Sequence, residues 1–309
     1  MKGNLTKRIF QIVFSILFLV GLVYLLSKLS LDDIYRNIIV SNKLLLLLGI
    51  IGIALAQVFK IIRFALVTKF YNFPISRREA SLIQMVGISI AILTPARIGE
   101  GSKAILLNKR LNIPIAESLG IVIFERFFDF ILLGSGSIIF SFYILQSSIT
   151  LFFALFILFV FVLFFIFLKF FDRIKKMFSK QHIESFSGIT YKDKKTLLLS
   201  IFILTVFSWL SQAALPWLFA LSIHVNIPFS SVFSIMCIST IAVIFSILPA
   251  GAGTLDLSFI MLYTMIGVSK ETAVSILIVY RFFSIILPFL FALFFIIYYR
   301  TSIKEFKYI

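Results

Sequence analysis

Long apolar stretches separated by short polar connections run through the whole chain of 309 residues. A helix needs about 20 apolar residues to cross a hydrocarbon core roughly 30 Å thick. Six stretches meet that length and predict membrane-spanning helices, at residues 10–27, 44–66, 117–143, 150–169, 196–221 and 272–299. The first follows a basic N-terminal segment but has no small-residue cleavage site after it, so we expect an anchor helix rather than a signal peptide.

Two further apolar stretches are interrupted by turns that contain proline and glycine. In the first, residues 80–107, the arm before the turn would form only about 21 Å of helix, which is too short to span. Non-helical backbone is tolerated at membrane depth only inside protein or beside a water-filled cavity. We therefore predict a re-entrant hairpin that enters from the cytoplasmic side. The alternative is two tilted spans around an outer turn, which would place the charged turn residues outside.

The second interrupted stretch, residues 230–268, has the same character and predicts a second re-entrant hairpin of opposite orientation. Its first arm, residues 230–248, is longer and nearly long enough to cross, so a full span is the alternative there. The predicted turn residues are Pro95 and Gly99 in the first hairpin and Pro249, Gly251 and Gly253 in the second.

Composition agrees with a membrane protein. Hydrophobic residues make up 61% of the chain and charged residues 14%, whereas a soluble domain is about half apolar and a quarter charged. This excludes a soluble enzyme, a disordered chain and a secreted disulfide scaffold.

The formal net charge of +16 comes from 29 Lys and Arg against 13 Asp and Glu. With the N-terminus inside, 19 of the basic residues fall in cytoplasmic segments and 4 in outer ones. This bias predicts a multi-pass protein of the cell membrane with both termini in the cytoplasm. Since the charge is explained by orientation, we expect no nucleic-acid partner.

Groups that would support catalysis are sparse. The single cysteine, Cys237, lies in an apolar run, and the two histidines, His182 and His224, form no cluster. We predict no metal, no cofactor, no catalytic residues and no enzymatic activity.

The order of elements repeats along the chain. Helix, helix, hairpin and helix occur twice, and three spans in each half require the halves to have opposite orientation. Pro95 precedes Arg126 by 31 positions, and Pro249 precedes Arg281 by 32. We predict a single transmembrane domain over residues 1–309, built of inverted halves 1–146 and 147–309. Broken segments at matching places in inverted halves indicate a transporter site where the two hairpins meet.

Charged residues inside membrane segments normally face the protein interior and pair. Glu125 and Asp129 share one helical face, and Arg126 is three positions before Asp129. Lys60 and Arg63, near the end of the second span, are expected to extend to the cytoplasmic interface. The predicted substrate-binding residues are Arg97, Glu100, Lys103, Glu125, Arg126, Asp129, Asp256 and Arg281.

Two interpretations of these charges remain open. Arg126–Asp129 and Arg281–Asp256 are either internal ion pairs that fix the fold or parts of an anion site. In the second case Arg97, Arg126 and Arg281 line a polar cavity, because the planar guanidinium bonds two phosphate oxygens at once.

The stretch Thr94-Pro-Ala-Arg-Ile-Gly-Glu100, followed by Glu125-Arg126-Phe-Phe-Asp129, resembles the lysylphosphatidylglycerol synthase transmembrane-region family. This flippase-like domain also forms the N-terminus of multiple peptide resistance factors. In the second half, the turn from Pro249 to Asp256 and the later Arg281 match the family pattern, except that Asp256 stands where glutamate is common. The resemblance implies translocation of phospholipids or lipid-linked sugars. Lysyl transfer is not expected, since no soluble aminoacyltransferase domain follows residue 309.

The sequence therefore predicts an all-α polytopic membrane protein with six spans and two opposed re-entrant hairpins. We expect a flippase or scramblase whose partners are membrane lipids and whose substrate has an anionic headgroup. The alternatives are a membrane-embedded enzyme, a partner subunit of a lipid-modifying enzyme, and an ion-coupled transporter of a small anion. A homo-oligomer is compatible with all of them.

Overall fold

The computed structural model describes residues 31–94, 97–140, 191–243 and 248–299. Every regular element within these ranges is a helix, which confirms the predicted all-α class. The helices are α1 (Leu31–Val40), α2 (Lys43–Phe70), α3 (Arg77–Ile92), α4 (Ser102–Leu111), α5 (Ile115–Phe140), α6 (Tyr191–Ser222), α7 (Phe229–Ala242), α8 (Thr254–Met265) and α9 (Lys270–Tyr298), with a 3₁₀ turn at Ile98–Gly101 before α4.

Three helices within the described ranges are long and apolar enough to cross a membrane. They are α2, α6 and α9, and they coincide with the predicted spans 44–66, 196–221 and 272–299. The predicted span 117–143 falls on α5, a helix of 26 residues that has three charged side chains in its middle. The predicted spans 10–27 and 150–169 lie outside the described residues.

Polar residues fix where several helices begin. Asn42 caps α2 by accepting a hydrogen bond from the Leu44 amide at 2.9 Å. Ser76 and Ser269 cap α3 and α9 in the same way. A side-chain oxygen at this position satisfies an amide that has no partner within the helix.

The first interrupted stretch is a helical hairpin formed by α3, the 3₁₀ turn and α4. Glu79 near its start and Arg110 near its end form an ion pair with a Nε–Oε2 distance of 3.0 Å. The two ends of the hairpin therefore lie next to each other. The helices α3 and α4 are only about 24 Å and 15 Å long. Gly99 lies in the turn, where an added Cβ would come within 2.8 Å of the Ile90 carbonyl oxygen.

The second interrupted stretch is formed by α7 and α8, which pack against each other. The two helices are about 21 Å and 18 Å long. Gly251 and Gly253 both have left-handed backbone, with φ of 69° and 85°, a conformation that glycine adopts freely. Asp256 then closes the start of α8 by accepting a hydrogen bond from the Gly253 amide at 3.0 Å.

The turns of the two hairpins touch. The Ala250 amide in the second turn donates a hydrogen bond of 2.8 Å to the Ile92 carbonyl at the end of α3. Around this junction α3 packs on α9, and α7 packs on α5.

The helices α2 and α6 run against each other over much of their length. Glycine permits this close approach, since an added Cβ on Gly49 would lie 3.0 Å from Leu215 Cα. Small residues commonly allow such contacts between membrane helices. The pair α2–α6 therefore joins the N-terminal and C-terminal parts of the described chain.

Candidate functional site

A buried arginine lies at the centre of the charged residues. Arg63 of α2 is fully buried and contacts two carboxylates of α5. Its NH1 lies 2.5 Å from Asp129 Oδ1, and its NH2 lies 2.8 Å from Glu125 Oε1. NH1 also donates to Thr205 Oγ1 on α6 at 3.2 Å. The expectation that Arg63 extends to the membrane surface was wrong, because two buried carboxylates hold it in the interior.

Lys103 of α4 reaches the same carboxylates from the first hairpin. Its Nζ lies 2.9 Å from Glu125 Oε2, and the side chain is fully buried. To get there the lysine crosses Gly87 of α3, where an added Cβ would be 2.3 Å from Lys103 Cγ. Because Gly87 has no side chain, the Lys103 side chain can pass it to reach Glu125.

Arg126 pairs with three carboxylates at once. Its Nε lies 2.7 Å from Glu100 Oε2, and its NH2 lies 3.0 Å from Asp129 Oδ2 and 3.6 Å from Glu125 Oε1. The predicted pairing of Arg126 with Asp129 is present. The Nε of Arg126 is close to Glu100 but is not aligned for a hydrogen bond, so this contact is an ion pair without directional bonding.

Neutral donors complete the environment of the two α5 carboxylates. Gln84 of α3 donates to Glu125 Oε1 at 2.9 Å, and the indole nitrogen of Trp209 donates to Asp129 Oδ1 at 2.8 Å. Buried charges are stable only when they are paired and hydrogen-bonded in this way. The carboxylates are therefore held in fixed positions by α2, by α6 and by both helices of the first hairpin, α3 and α4.

A cavity of about 170 Å³ opens beside this cluster. Its walls come from the first turn, α5, α6 and α7. The lining residues are Arg97, Glu100, Arg126, Asp129, Phe130, Leu133, Trp209, Thr240 and Val243.

Arg97 enters the cavity from an unusual backbone conformation. Its φ of 56° lies in the left-handed region, which is unfavourable for residues other than glycine and often marks a functional position. Its side chain has no ion pair within the described ranges, and its buried Nε has no hydrogen-bond partner there. Arg97 is therefore a cation whose charge the described residues leave unbalanced.

Lys60 approaches the same region from α2. It lines a smaller pocket that shares Arg97, Glu100, Arg126 and Asp129 with the cavity. Its Nζ donates to Gln212 Oε1 at 2.7 Å and lies 5.4 Å from the centre of the Trp209 ring. The predicted position at the cytoplasmic interface was wrong for Lys60 as well.

Asp256 and Arg281 form a separate unit. Arg281 Nε donates to Asp256 Oδ1 at 2.7 Å, so the predicted pair is present. The other two guanidinium nitrogens donate to the carbonyls of Ala250 and Gly251 at 2.5 and 3.2 Å. Arg281 thus binds the second turn together, and neither it nor Asp256 lines the cavity described above.

The structure brings together six of the eight predicted site residues: Arg97, Glu100, Lys103, Glu125, Arg126 and Asp129. Of the predicted turn residues, Pro95 lies outside the described ranges. Within those ranges no group of three histidine, cysteine or acidic side chains could hold a metal ion.

Sequence reasoning did not include Arg63, Lys60 or Gln84 among the predicted binding residues. A signal for one of them was present, because two carboxylates on one face of α5 exceed the charge of Arg126 alone and require another cation.

Comparison with known proteins gives the family. Residues 9–292 match the family described as the lysylphosphatidylglycerol synthase TM region. A UPF0104 membrane protein of Methanocaldococcus jannaschii is 25% identical, over 93% of this chain and 94% of that protein. One from Methanothermobacter thermautotrophicus is 26% identical, over 68% of this chain and 71% of its own length.

A shorter similarity connects the chain with larger enzymes. The phosphatidylglycerol lysyltransferase of Staphylococcus haemolyticus is 31% identical over 87 residues, which are 28% of this chain but only 10% of the enzyme. Since the family match extends over nearly the whole sequence, this chain is a membrane protein that belongs to the lysylphosphatidylglycerol synthase transmembrane-region family.

Proposed function

We propose that the protein is a lipid translocase, a flippase or scramblase that moves an anionic, phosphate-bearing lipid between membrane leaflets. The observation that carries this proposal is the charged cavity between the two halves, beside helices whose outer faces are apolar. On this proposal the headgroup enters the cavity while the acyl or prenyl tails stay in the surrounding lipid. The chain performs no chemical reaction on its substrate.

The geometry of the cavity supports transport. Charged side chains at membrane depth are costly and are commonly found along substrate pathways. Here they lie where the turn of the first hairpin meets α5 and α7, so a shift of one hairpin changes access to them. Such junctions between repeats are where transporters of this architecture bind substrate.

We also propose the topology on which the transport cycle depends: six spans, two opposed re-entrant hairpins and both termini in the cytoplasm of a cell-membrane protein. The arms α3, α4, α7 and α8 are all shorter than the roughly 30 Å core, which supports re-entrant segments. The reciprocal packing of α3 on α9 and of α7 on α5 supports an inverted repeat with halves 1–146 and 147–309.

The relatives support the lipid class of the substrate. Two of them are named as phosphatidylglycerol lysyltransferases, and phosphatidylglycerol has a phosphate that carries one negative charge. For this chain we propose the class alone, an amphiphile with an anionic phosphate headgroup.

The test is a transbilayer assay with purified protein in liposomes. Fluorescent phosphatidylglycerol, a polyprenyl-phosphate sugar and phosphatidylcholine are compared by their accessibility to an impermeant quencher. We expect faster exchange of an anionic lipid, and loss of that exchange in Asp129→Asn, which removes a carboxylate shared by Arg63 and Arg126. The control is Lys69→Gln, because Lys69 is exposed near the end of α2.

Transbilayer rates equal to those of protein-free liposomes for all three lipids would refute the proposal. Uptake of labelled inorganic phosphate without lipid exchange would favour a transporter of small anions instead. A modified product formed from the labelled lipid would favour an enzyme.

A further inference from the structure

The positive charges around the cavity are not all balanced. Arg63, Lys103 and Arg126 each lie within ion-pair distance of a carboxylate. Among the described residues, Glu100, Glu125 and Asp129 supply three negative charges in this region. Each of these three cations therefore has a counterion that the protein itself provides.

Two further cations have no such counterion within the described ranges. Arg97 has no ion pair and a buried, unsatisfied Nε. Among the described residues, the hydrogen-bond partner of Lys60 is the neutral amide of Gln212. Both line one pocket, Lys60 from α2 and Arg97 from the first turn. Five cationic side chains thus surround three carboxylates and leave an excess of two positive charges.

We infer that Lys60 and Arg97 together bind the phosphate group of the substrate. An uncompensated charge at low dielectric attracts an anion strongly, and a guanidinium bonds two phosphate oxygens while an ammonium supplies a point charge. Arg126 is then a positioning residue that holds Glu100 and Asp129 at the cavity wall. That the phosphate belongs to a lipid rests on the proposed function.

The Gln212 amide links Lys60, one of the two anion-binding residues, to the C-terminal part of the protein. Gln212 accepts a hydrogen bond from Lys60 at 2.7 Å and donates to the Tyr280 hydroxyl at 2.9 Å. Tyr280 directly precedes Arg281, which holds the second turn. An anion that draws Lys60 away from Gln212 would therefore release a contact between α2 and α6, at the amide that also bonds Tyr280 of α9.

The backbone of Arg97 separates a binding role from a structural one. A left-handed conformation is unfavourable for arginine and free for glycine. If Arg97 is retained for anion binding, Arg97→Gly should raise the melting temperature while it abolishes binding. A merely structural arginine would lower the melting temperature when replaced.

The experiment measures ligand binding by purified protein through the fluorescence of Trp209 in a Trp217→Phe background. The probes are inorganic phosphate, short-chain phosphatidylglycerol and short-chain phosphatidylcholine. We expect Lys60→Gln and Arg97→Gln to weaken binding of phosphatidylglycerol by about tenfold or more. Lys60→Arg should keep most of the affinity, and the matched control Lys69→Gln should keep all of it.

Unchanged affinity in both Lys60→Gln and Arg97→Gln would overturn the inference, and so would wild-type lipid exchange by these variants. If the variants change lipid binding as expected but the wild-type protein does not transport lipid in liposomes, the proposed function is refuted. The inference that Lys60 and Arg97 bind the phosphate group would still stand. Binding of inorganic phosphate but not of the lipid would identify the phosphate as that of a soluble anion.

Discussion

Arg126 and Arg281 follow the two broken segments at nearly the same distance, and the structure uses them differently. Each places its Nε 2.7 Å from the carboxylate of the preceding hairpin, Glu100 or Asp256. Arg281 directs its remaining nitrogens to two backbone carbonyls of its own turn. Arg126 directs its NH2 to the Asp129 and Glu125 carboxylates of α5, and its contact with Glu100 is not aligned for a hydrogen bond.

The two arginines therefore differ in what they hold. Arg281 fixes the backbone of a turn, whereas Arg126 pairs with charged side chains at the cavity. Hydrogen bonds to backbone carbonyls define one geometry, so the second turn is closed around Arg281. At Arg126 the contact between Nε and Glu100 is not aligned for a hydrogen bond, so it is less directional than the bonds of Arg281 to its turn. This contrast supports a structural role for the second turn and, under the proposed function, a role in substrate binding for the first.

The left-handed residues of the two turns show the same contrast. Ala250 has a φ of 57°, and Arg97 has a φ of 56°. At Ala250 the backbone carries the interactions, with its amide bonded to Ile92 and its carbonyl to Arg281. At Arg97 the same backbone conformation sends a long cationic side chain into the cavity.

The largest effect is expected from Arg63→Met. It leaves Glu125 and Asp129 without their central counterion, and removal of one partner from a buried ion pair typically costs about 3–5 kcal/mol. Thermal unfolding in detergent would measure the loss. Arg63→Lys keeps the positive charge but loses the planar guanidinium that bonds both carboxylates. Its melting temperature should lie between those of the wild type and Arg63→Met.

The matched control for Arg63→Met is Arg77→Met, because Arg77 is exposed at the start of α3. If Arg63→Met and Arg77→Met unfold at the same temperature, the charge cluster does not stabilise the first half.

A pair of conservative changes tests the comparison directly. Arg281→Lys loses the fork that binds the second turn and should reduce the free energy of unfolding by about 2 kcal/mol. Arg126→Lys should reduce it less, because its ion pairs are less directional, but should slow lipid exchange more. Unfolding and exchange would be measured on both variants, and the opposite order in both measurements would reverse our assignment of the two turns.

The smallest effect is expected from Gly87→Ala. The new methyl group would occupy the space that Lys103 crosses, and since a lysine stem can move aside, we expect a loss of about 1 kcal/mol. Gly101→Ala is the matched control, because its added Cβ meets nothing within 4 Å and should change stability by at most about 0.5 kcal/mol. Equal stability of the two variants would show that the path of Lys103 is not constrained.

Much of the fold follows from simple patterns. Apolar length alone locates α2, α6 and α9, and the proline and glycine positions locate the two turns. Spacing along one helix predicts the Arg126–Asp129 contact, because positions three apart share a face.

Arg63 shows why sequence patterns did not predict the other contacts of the site. A cation near the polar end of an apolar stretch normally extends toward water. Here α2 continues to Phe70, two turns beyond Arg63, and carboxylates from a distant helix hold the guanidinium inside. Hydropathy is a property of one segment, whereas the position of this side chain depends on contacts between residues 62 and 66 positions apart.

The link between Arg63 and α5 also sets an order for biosynthesis. The helix α5 contains Glu125, Arg126 and Asp129, and each charge at a helix centre opposes insertion by about 2.5–3.5 kcal/mol. Because α2 leaves the ribosome first, its arginine is already in the bilayer when α5 arrives and can receive two of these charges.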